Sequence, residues 1–377
     1  WLEPAQAELS AFGAMSSHYA GMGATVMLGP APMPYLQGRA VGGGSVINGA
    51  ICWRLARDVY DEWIGADPAL AEALPWDELE SVTDEIEDHL NVRPTEVAVA
   101  GKKNLLMAAG AEALGLEHRP IRRNTRGCIG RGLCLQGCPG GNKLSLDQTY
   151  VRDAEAGGAN ILSAVTIEGL LREEGKAVGV EGRADGGGRV RVLAKRAVVL
   201  AASAVQTPAL LLHNRIAHGP VGENFQCHPG VSMAGRFPEP VRMWEGATQG
   251  HEVIGLRHEG LKFEALGFGP GVLASRMEGV GSRFAESIAD MAHWIDWGAA
   301  VRASARGRVR SVRGKVVVTF AASARDVRLF RRGLRVMGEM MFAAGAERVT
   351  PGVHGFDASV DDPRRLRELE ENGPDVA

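Results

Sequence analysis

The stretch GRAVGGGSVINGAICWR, residues 38–54, decides how the rest of the chain is read. Gly42, Gly43, Gly44 and Ser45 are four small residues in succession. With few Cβ atoms in the way, such a backbone lies close against a large flat or phosphorylated ligand, and its amides can form an anion-binding nest. Asn48 and Gly49 add a turn with exposed polar groups. An ordinary glycine-rich loop fits the same pattern equally well. A Walker loop does not fit: Gly44 and Gly49 bracket four residues, but Ala50 and Ile51 follow where Lys and Ser or Thr are required.

Composition narrows the class. The chain has 377 residues, enough for two or three domains, and is 45% hydrophobic and 23% charged, which excludes a disordered chain. Its fifty glycines are nearly twice the usual share of ~7% but lack a collagen period. A net charge of −3 gives no reason to expect nucleic acid or an anionic membrane, so a small neutral substrate is expected. No apolar run approaches the ~18 residues of a membrane span, and no signal peptide is evident, so a soluble, cytoplasmic protein is expected. The first residue is Trp1, so the natural N-terminus is expected to be processed or to lie outside this sequence. Five cysteines, an odd number, do not read as a secreted disulfide framework.

Periodicity places the elements. Residues 1–50 read as extended chain and loop, with Pro30, Pro32 and Pro34 alternating. Asp58 to Leu90 reads as helical, with Asp77 as N-cap and Leu79, Val82, Ile86 and Leu90 on one stripe. A helix is predicted over Lys102 to Leu114, ended by Gly115, and a short one over Asp147 to Ala156. Asn160 to Val165 reads as a strand. Gly169 to Glu173 and Val178 to Gly182 read as a hairpin turning at Glu174 and Gly175, followed by a strand over Val190 to Leu193. Ala197 to Ala202 (AVVLAA) has the continuous apolar character of a strand buried on both faces of a parallel sheet, and it leads into a helix from Thr207 and Pro208. Residues 230–320 predict a mainly antiparallel sheet ending in Lys315 to Phe320. Asp326 to Ala344 predicts an amphipathic helix with Val327, Phe330, Leu334, Met337 and Met341 inward, ended by Gly345. From Asp361 the chain reads as a short helix closed by Gly373 and Pro374.

Four segments in order resemble the glucose–methanol–choline (GMC) oxidoreductases, a family of FAD-dependent alcohol oxidases and dehydrogenases. They are residues 38–54 followed by Tyr60-Asp61-Glu62-Trp63; CLQGCPGGNKLSLDQTYV, Cys134 to Val151; RAVVLAASAVQTPALLLHNRI, Arg196 to Ile216; and VGENFQCHP, Val221 to Pro229, with Cys227 where Asp is usual. The resemblance implies bound FAD. It places Gly43, Gly44 and Ser45 beside the flavin and pyrophosphate, and Asn48, Gly49 and Ala50 at the isoalloxazine end. It gives Val165 as the backbone contact to adenine and Ser203 and Ala204 as the strand end that meets the dinucleotide. The chemistry implied is hydride transfer from an alcohol carbon to flavin N5 while a histidine removes the hydroxyl proton.

Two parts of the family pattern have no match. Gly21-Met22-Gly23 is followed by Ala24-Thr25-Val26, which does not complete the GxGxxG turn that sets a pyrophosphate on a helix N-terminus. The segment bearing the catalytic histidine would begin near Ala377, so the catalytic residue is unknown and this chain by itself is expected to be inactive. The fold class expected is α/β, α+β overall: an incomplete FAD-binding Rossmann-like domain with an inserted, mainly antiparallel substrate domain. Its parts are 1–60 and 146–229 for the FAD domain, 61–145 for a helical, cysteine-containing insertion, 230–345 for the substrate domain and 346–377 for the return to the FAD domain.

Cys128, Cys134 and Cys138, spaced C-x5-C-x3-C before Pro139, could hold an iron–sulfur cluster. That gives the alternative of a flavin subunit in an electron-transferring dehydrogenase with a redox partner; a cluster-free cysteine loop is the simpler expectation, and no metal is assigned. A non-catalytic fragment is the further alternative. His228 is expected to be structural near the flavin, and His213 and His218 solvated. His251-Glu252 is not HExxH, because Gly255 stands at the second histidine. The arginines from Arg302 to Arg335 read as a solvated face and not a nucleic-acid patch. Trp244, Trp294 and Trp297 fit either an apolar substrate pocket or core packing. The substrate expected is an alcohol: a sterol, a long-chain alcohol or something sugar-like.

Overall fold

The computed structural model describes residues 10–275, 277 and 279–374; Trp1 and Ala377 lie outside them. The helix Ala324–Ala343 starts as its sequence demands. The Ser323 hydroxyl accepts from the Asp326 N–H at 3.2 Å while the Asp326 carboxylate accepts from the Ser323 N–H at 2.9 Å, a reciprocal capping box. Val327, Phe330, Leu334, Met337 and Met341 form its buried stripe.

That stripe covers a six-stranded antiparallel sheet in the order Arg348–Thr350, Gly230–Arg236, Trp294–Val301, Leu261–Leu266, His251–Val253, His118–Pro120. Strand alternation supplies the other half of the core. Leu261, Phe263 and Ala265 on one strand, and Ile295, Trp297, Ala299 and Val301 on its neighbour, are buried with the helix in a single apolar cluster. Trp297 is therefore core. The helix Lys102–Ala113 joins this layer, and its close approach depends on Gly110, where a Cβ would overlap the Met340 carbonyl oxygen.

A three-stranded sheet, Val165–Glu173, Lys176–Ala184 and Arg189–Leu193, holds the predicted hairpin, with Glu174 and Gly175 both at positive φ (49° and 82°) as the tight turn requires. The terminal helix Pro363–Asn372 forms as predicted. The arginines of the basic region pair with acids: Arg302 with Glu62, Arg308 with Glu223, Arg332 with Glu259 and Arg335 with Glu339. No described helix is long and apolar enough to cross a membrane.

Several expectations are corrected. Ala197 to Ala202 is not a buried strand; among the described residues nothing pairs with it, and Val199 is 85% exposed. Its apolar character needs strands alongside before it can be buried. Asn160 to Ala164 likewise stays irregular, and the strand begins only at Val165. The helix after it starts at Ser203 and carries Pro208 inside it. Residues 58–90 divide into Arg57–Ala66, Leu70–Ala73 and Trp76–His89; Pro75, and not Asp77, precedes the last of these. Val82 and Ile86 on that helix are exposed, because the buried side is turned toward Glu87, which receives both Arg122 amino groups at 2.7 and 2.6 Å and also Arg54. Lys315–Thr319 pairs with Arg308–Val312 in its own hairpin, apart from the six-stranded sheet.

Candidate functional site

A cleft of about 2220 Å³ runs between the glycine-rich turn and the three-stranded sheet. Its walls are Gly42 to Ser45, Leu146 to Gln148, Leu162 to Glu168, Ala201 to Gln206 and Cys227 to Gly230. Sequence segments far apart thus meet here: Gly43, Gly44, Ser45, Val165, Ser203 and Ala204 all line one space. Gly42 and Gly43 have φ of 92° and 57°, which glycine adopts without strain. Beyond its chain neighbours and the local helix backbone, a Cβ added at Gly43 or Gly44 would meet no described residue within 4 Å, so both present bare backbone to open space. Ser45 braces this turn: its hydroxyl donates to the Gly42 carbonyl at 2.7 Å and accepts from the Leu146 N–H at 2.9 Å. At the opposite wall Ser203 stands at φ 91°, its hydroxyl accepting from the Gln206 N–H at 3.1 Å and from Gln37 at 3.0 Å.

Asn48, Gly49 and Ala50 do not line the cleft. They lead away from it to the antiparallel sheet. Ala50 is fully buried at φ 65°, with its N–H donating to the Asn48 side chain at 3.0 Å, and Gly49 lies so close to Gln249 that a Cβ would overlap its amide oxygen.

Buried cations hold this region, and sequence reasoning missed them. Lys143 donates to the carbonyl oxygens of Val46, Asn48 and Cys134 at 2.6, 3.0 and 2.8 Å; burial pushes its ammonium down to about 8. The Lys103 ammonium donates to the Glu245 carbonyl at 2.8 Å, and burial pushes it down to about 7. The Arg123 guanidinium donates to the Cys134 sulfur at 3.0 Å. The Cys138 sulfur accepts from the Lys143 N–H at 3.3 Å, and burial pushes its thiol up. Among the described residues no group of three or more His, Cys, Asp or Glu could hold a metal ion. The signal for Arg123 and Lys143 was their place in the cysteine-rich loop, where attention went to the thiols; Lys103 lies on the helix Lys102–Ala113 and had no such signal.

His228 and His213 line the cleft, and so does His18, which no flanking pattern had marked. His18 is buried, and among the described residues its Nε2 has no hydrogen-bond partner. Cys227 also lies on the wall, its thiol pushed up by burial. Trp244 and Trp294 do not line the cleft; Trp294 donates its indole N–H to Asp290 at 2.9 Å.

Comparison with known proteins gives the family and the fold. The family model described as GMC oxidoreductase matches residues 15–230. An uncharacterised GMC-type oxidoreductase of Mycobacterium tuberculosis is 35% identical over 346 residues, covering 89% of this chain and 53% of its own length. The chain therefore spans about half the length of that relative. A long-chain-alcohol oxidase of Arabidopsis thaliana is 30% identical over 236 residues, 59% of this chain and 31% of its own. Among solved structures, pyridoxine 4-oxidase from Mesorbium loti superposes with a TM-score of 0.65 at 16% identity over 90% of this chain and 72% of its own. Formate oxidase of Aspergillus oryzae does so with 0.65 at 12% identity over 98% and 80%. These structural likenesses carry the fold alone, mixed α/β with antiparallel sheets. With the family model matched over more than half of its length, the chain belongs to the GMC oxidoreductase family.

Proposed function

We propose that this protein is an FAD-dependent oxidoreductase that converts an alcohol to a carbonyl compound. The observation that carries the reading is the cleft, in which the bare backbone of Gly43 and Gly44 faces the Val165 strand end and the Ser203–Ala204 turn across a space large enough for a dinucleotide. The residues fit the group: a side chain at either glycine would project into that space, and Gly42 allows a close packing in which a Cβ would lie 2.8 Å from the Asp147 backbone nitrogen. When bound, FAD would supply a two-electron acceptor for the hydrogen on the alcohol carbon.

The protein's own residues act by positioning. Gly43, Gly44 and Ser45 would run along the cofactor, Val165 would meet the adenine through its backbone, and Ser203 and Ala204 would abut the dinucleotide. Asn48 to Ala50, clamped by Lys143, would support the isoalloxazine end next to the antiparallel sheet. Residues 1–377 by themselves are not expected to turn over an alcohol, since no residue among those described is assigned as the base that takes the hydroxyl proton. The test is anaerobic mixing of the full-length protein with primary and secondary alcohols. Bleaching of a flavin spectrum by at least one alcohol is expected, and a protein whose flavin no alcohol reduces would overturn the reading.

A further inference from the structure

Opposite the long helix, the outer face of the six-stranded sheet carries a polar network next to the cleft. On the strand Leu261–Leu266, alternation buries Leu261, Phe263 and Ala265 and turns Lys262 and Glu264 outward. Glu252 stands directly across from Glu264 on the neighbouring strand. It is almost wholly buried, and receives the Trp53 indole N–H at 2.7 Å and Arg119 at 2.8 Å, with Lys262 at 3.7 Å. Lys262 also pairs with Glu264, and Gln249 donates to Glu264 at 2.6 Å.

Gln249 is pressed against Gly49, outside the cleft wall. One strand row joins this face to the proposed cofactor cleft: Gly230, which lines the cleft, lies in one row with Ala300 and Lys262. The next row is Ser232, Gly298, Glu264 and Glu252. The bed between cleft and charged wall is thus built from Gly230, Ala300, Ser232 and Gly298; Leu266 lies against Gly298, and the Lys262 ammonium stands 4.5 Å from the centre of the Trp53 ring.

We infer that the alcohol taken here is hydrophilic and polyhydroxylated, with its hydroxyls held by Glu264 and Gln249, and not a long alkyl alcohol; this rests on the alcohol-oxidising reading above. An alkyl chain laid on this bed strips the remaining water from the Glu264–Lys262 pair and returns no hydrogen bonds. Hydroxyl groups replace that water with direct bonds to charged acceptors and donors, the stronger class of hydrogen bond. The network is also internally braced, so Glu264 is held in place before the substrate arrives.

The test uses the full-length, oxidised protein and measures binding apart from turnover. Equilibrium binding of glycerol, erythritol and D-glucitol is compared with that of octan-1-ol by calorimetry, in wild type, Glu264→Leu and Glu264→Gln, with circular dichroism as the fold control. At least one polyol is expected to bind tenfold or more tightly than octan-1-ol. Glu264→Leu is expected to remove that preference and Glu264→Gln to keep part of it. Tighter binding of octan-1-ol by the wild type, or a polyol preference unchanged in a folded Glu264→Leu, overturns the inference. Anaerobic bleaching is read separately: absence of bleaching by every alcohol counts against alcohol oxidation, whereas bleaching by octan-1-ol in preference to all three polyols counts against the substrate class alone.

Discussion

The buried ammonium of Lys143 donates to the carbonyl oxygen of Asn48 at 3.0 Å, and through its bonds to Val46 and Cys134 it ties the glycine-rich segment to the cysteine loop. Lys143→Met keeps the bulk but takes the ammonium donor from the Val46 and Asn48 carbonyls, while the Cys134 carbonyl keeps the Gly137 N–H at 3.3 Å. The expected loss is about 3 kcal/mol, summing a typical unsatisfied-group penalty over sites that partly relax. A urea-unfolding midpoint equal to wild type would show that the clamp contributes nothing.

The same burial makes stability rise with alkaline pH. Lys103 and Lys143 sit at about 7 and about 8 in the folded protein, below the 10.5 of a free lysine, so between pH 7 and 10.5 the unfolded chain binds more protons. Stability therefore increases with pH across that window and is lost again as pH falls through 8 and 7. Urea midpoints measured from pH 7 to 10 should climb in the wild type and climb less in Lys103→Met.

On the acid side, the His251 imidazole lies 2.9 Å from that of His118, and burial, with the neighbouring imidazole, pushes it down from 6.5 to about 4. A depressed folded value means stability present above pH 6.5 and lost as pH falls through 4. Replacing His251 with Phe should flatten that decline in thermal melts taken from pH 7 to pH 4. An unchanged slope would assign the decline to other groups.

Gly110→Ala sets helix propensity against packing. Alanine favours a helix interior by up to ~1 kcal/mol, but here its Cβ overlaps the Met340 carbonyl, and overpacking of this kind costs about 1–3 kcal/mol. A lower melting temperature is expected; a higher one would mean that the two helices separate freely.

Much of the fold was legible because its signals are local. The Ser323 cap, the five-residue stripe and the Glu174-Gly175 turn each act within a few residues. Ala197 to Ala202 misled because a continuous apolar run specifies burial only when flanking strands exist, which is a property of the assembled sheet. Resemblance located six residues that do share one cleft, yet neither it nor periodicity pointed to His18, Arg123 or Lys143. Their roles come from burial and from partners distant in the chain; Lys143 reaches Val46 across 97 positions. Gln249 and Glu264 were invisible for the same reason, since strand register alone brings Glu264 opposite Glu252.

The account rests on the cleft being an FAD site, and Gly44 offers its cleanest test. Apart from its chain neighbours and its own helix backbone, no described residue stands within 4 Å of a Cβ at this position, so Gly44→Leu should leave the melting temperature of the cofactor-free protein unchanged while filling the space assigned to the cofactor. The measurement is the FAD dissociation constant of the full-length wild type and of Gly44→Leu, by quenching of flavin fluorescence. The account predicts one FAD per wild-type chain and binding at least about tenfold weaker in the variant, a difference of about 1.4 kcal/mol. Equal affinity in the two proteins, or a full-length wild type that binds no FAD, would contradict it.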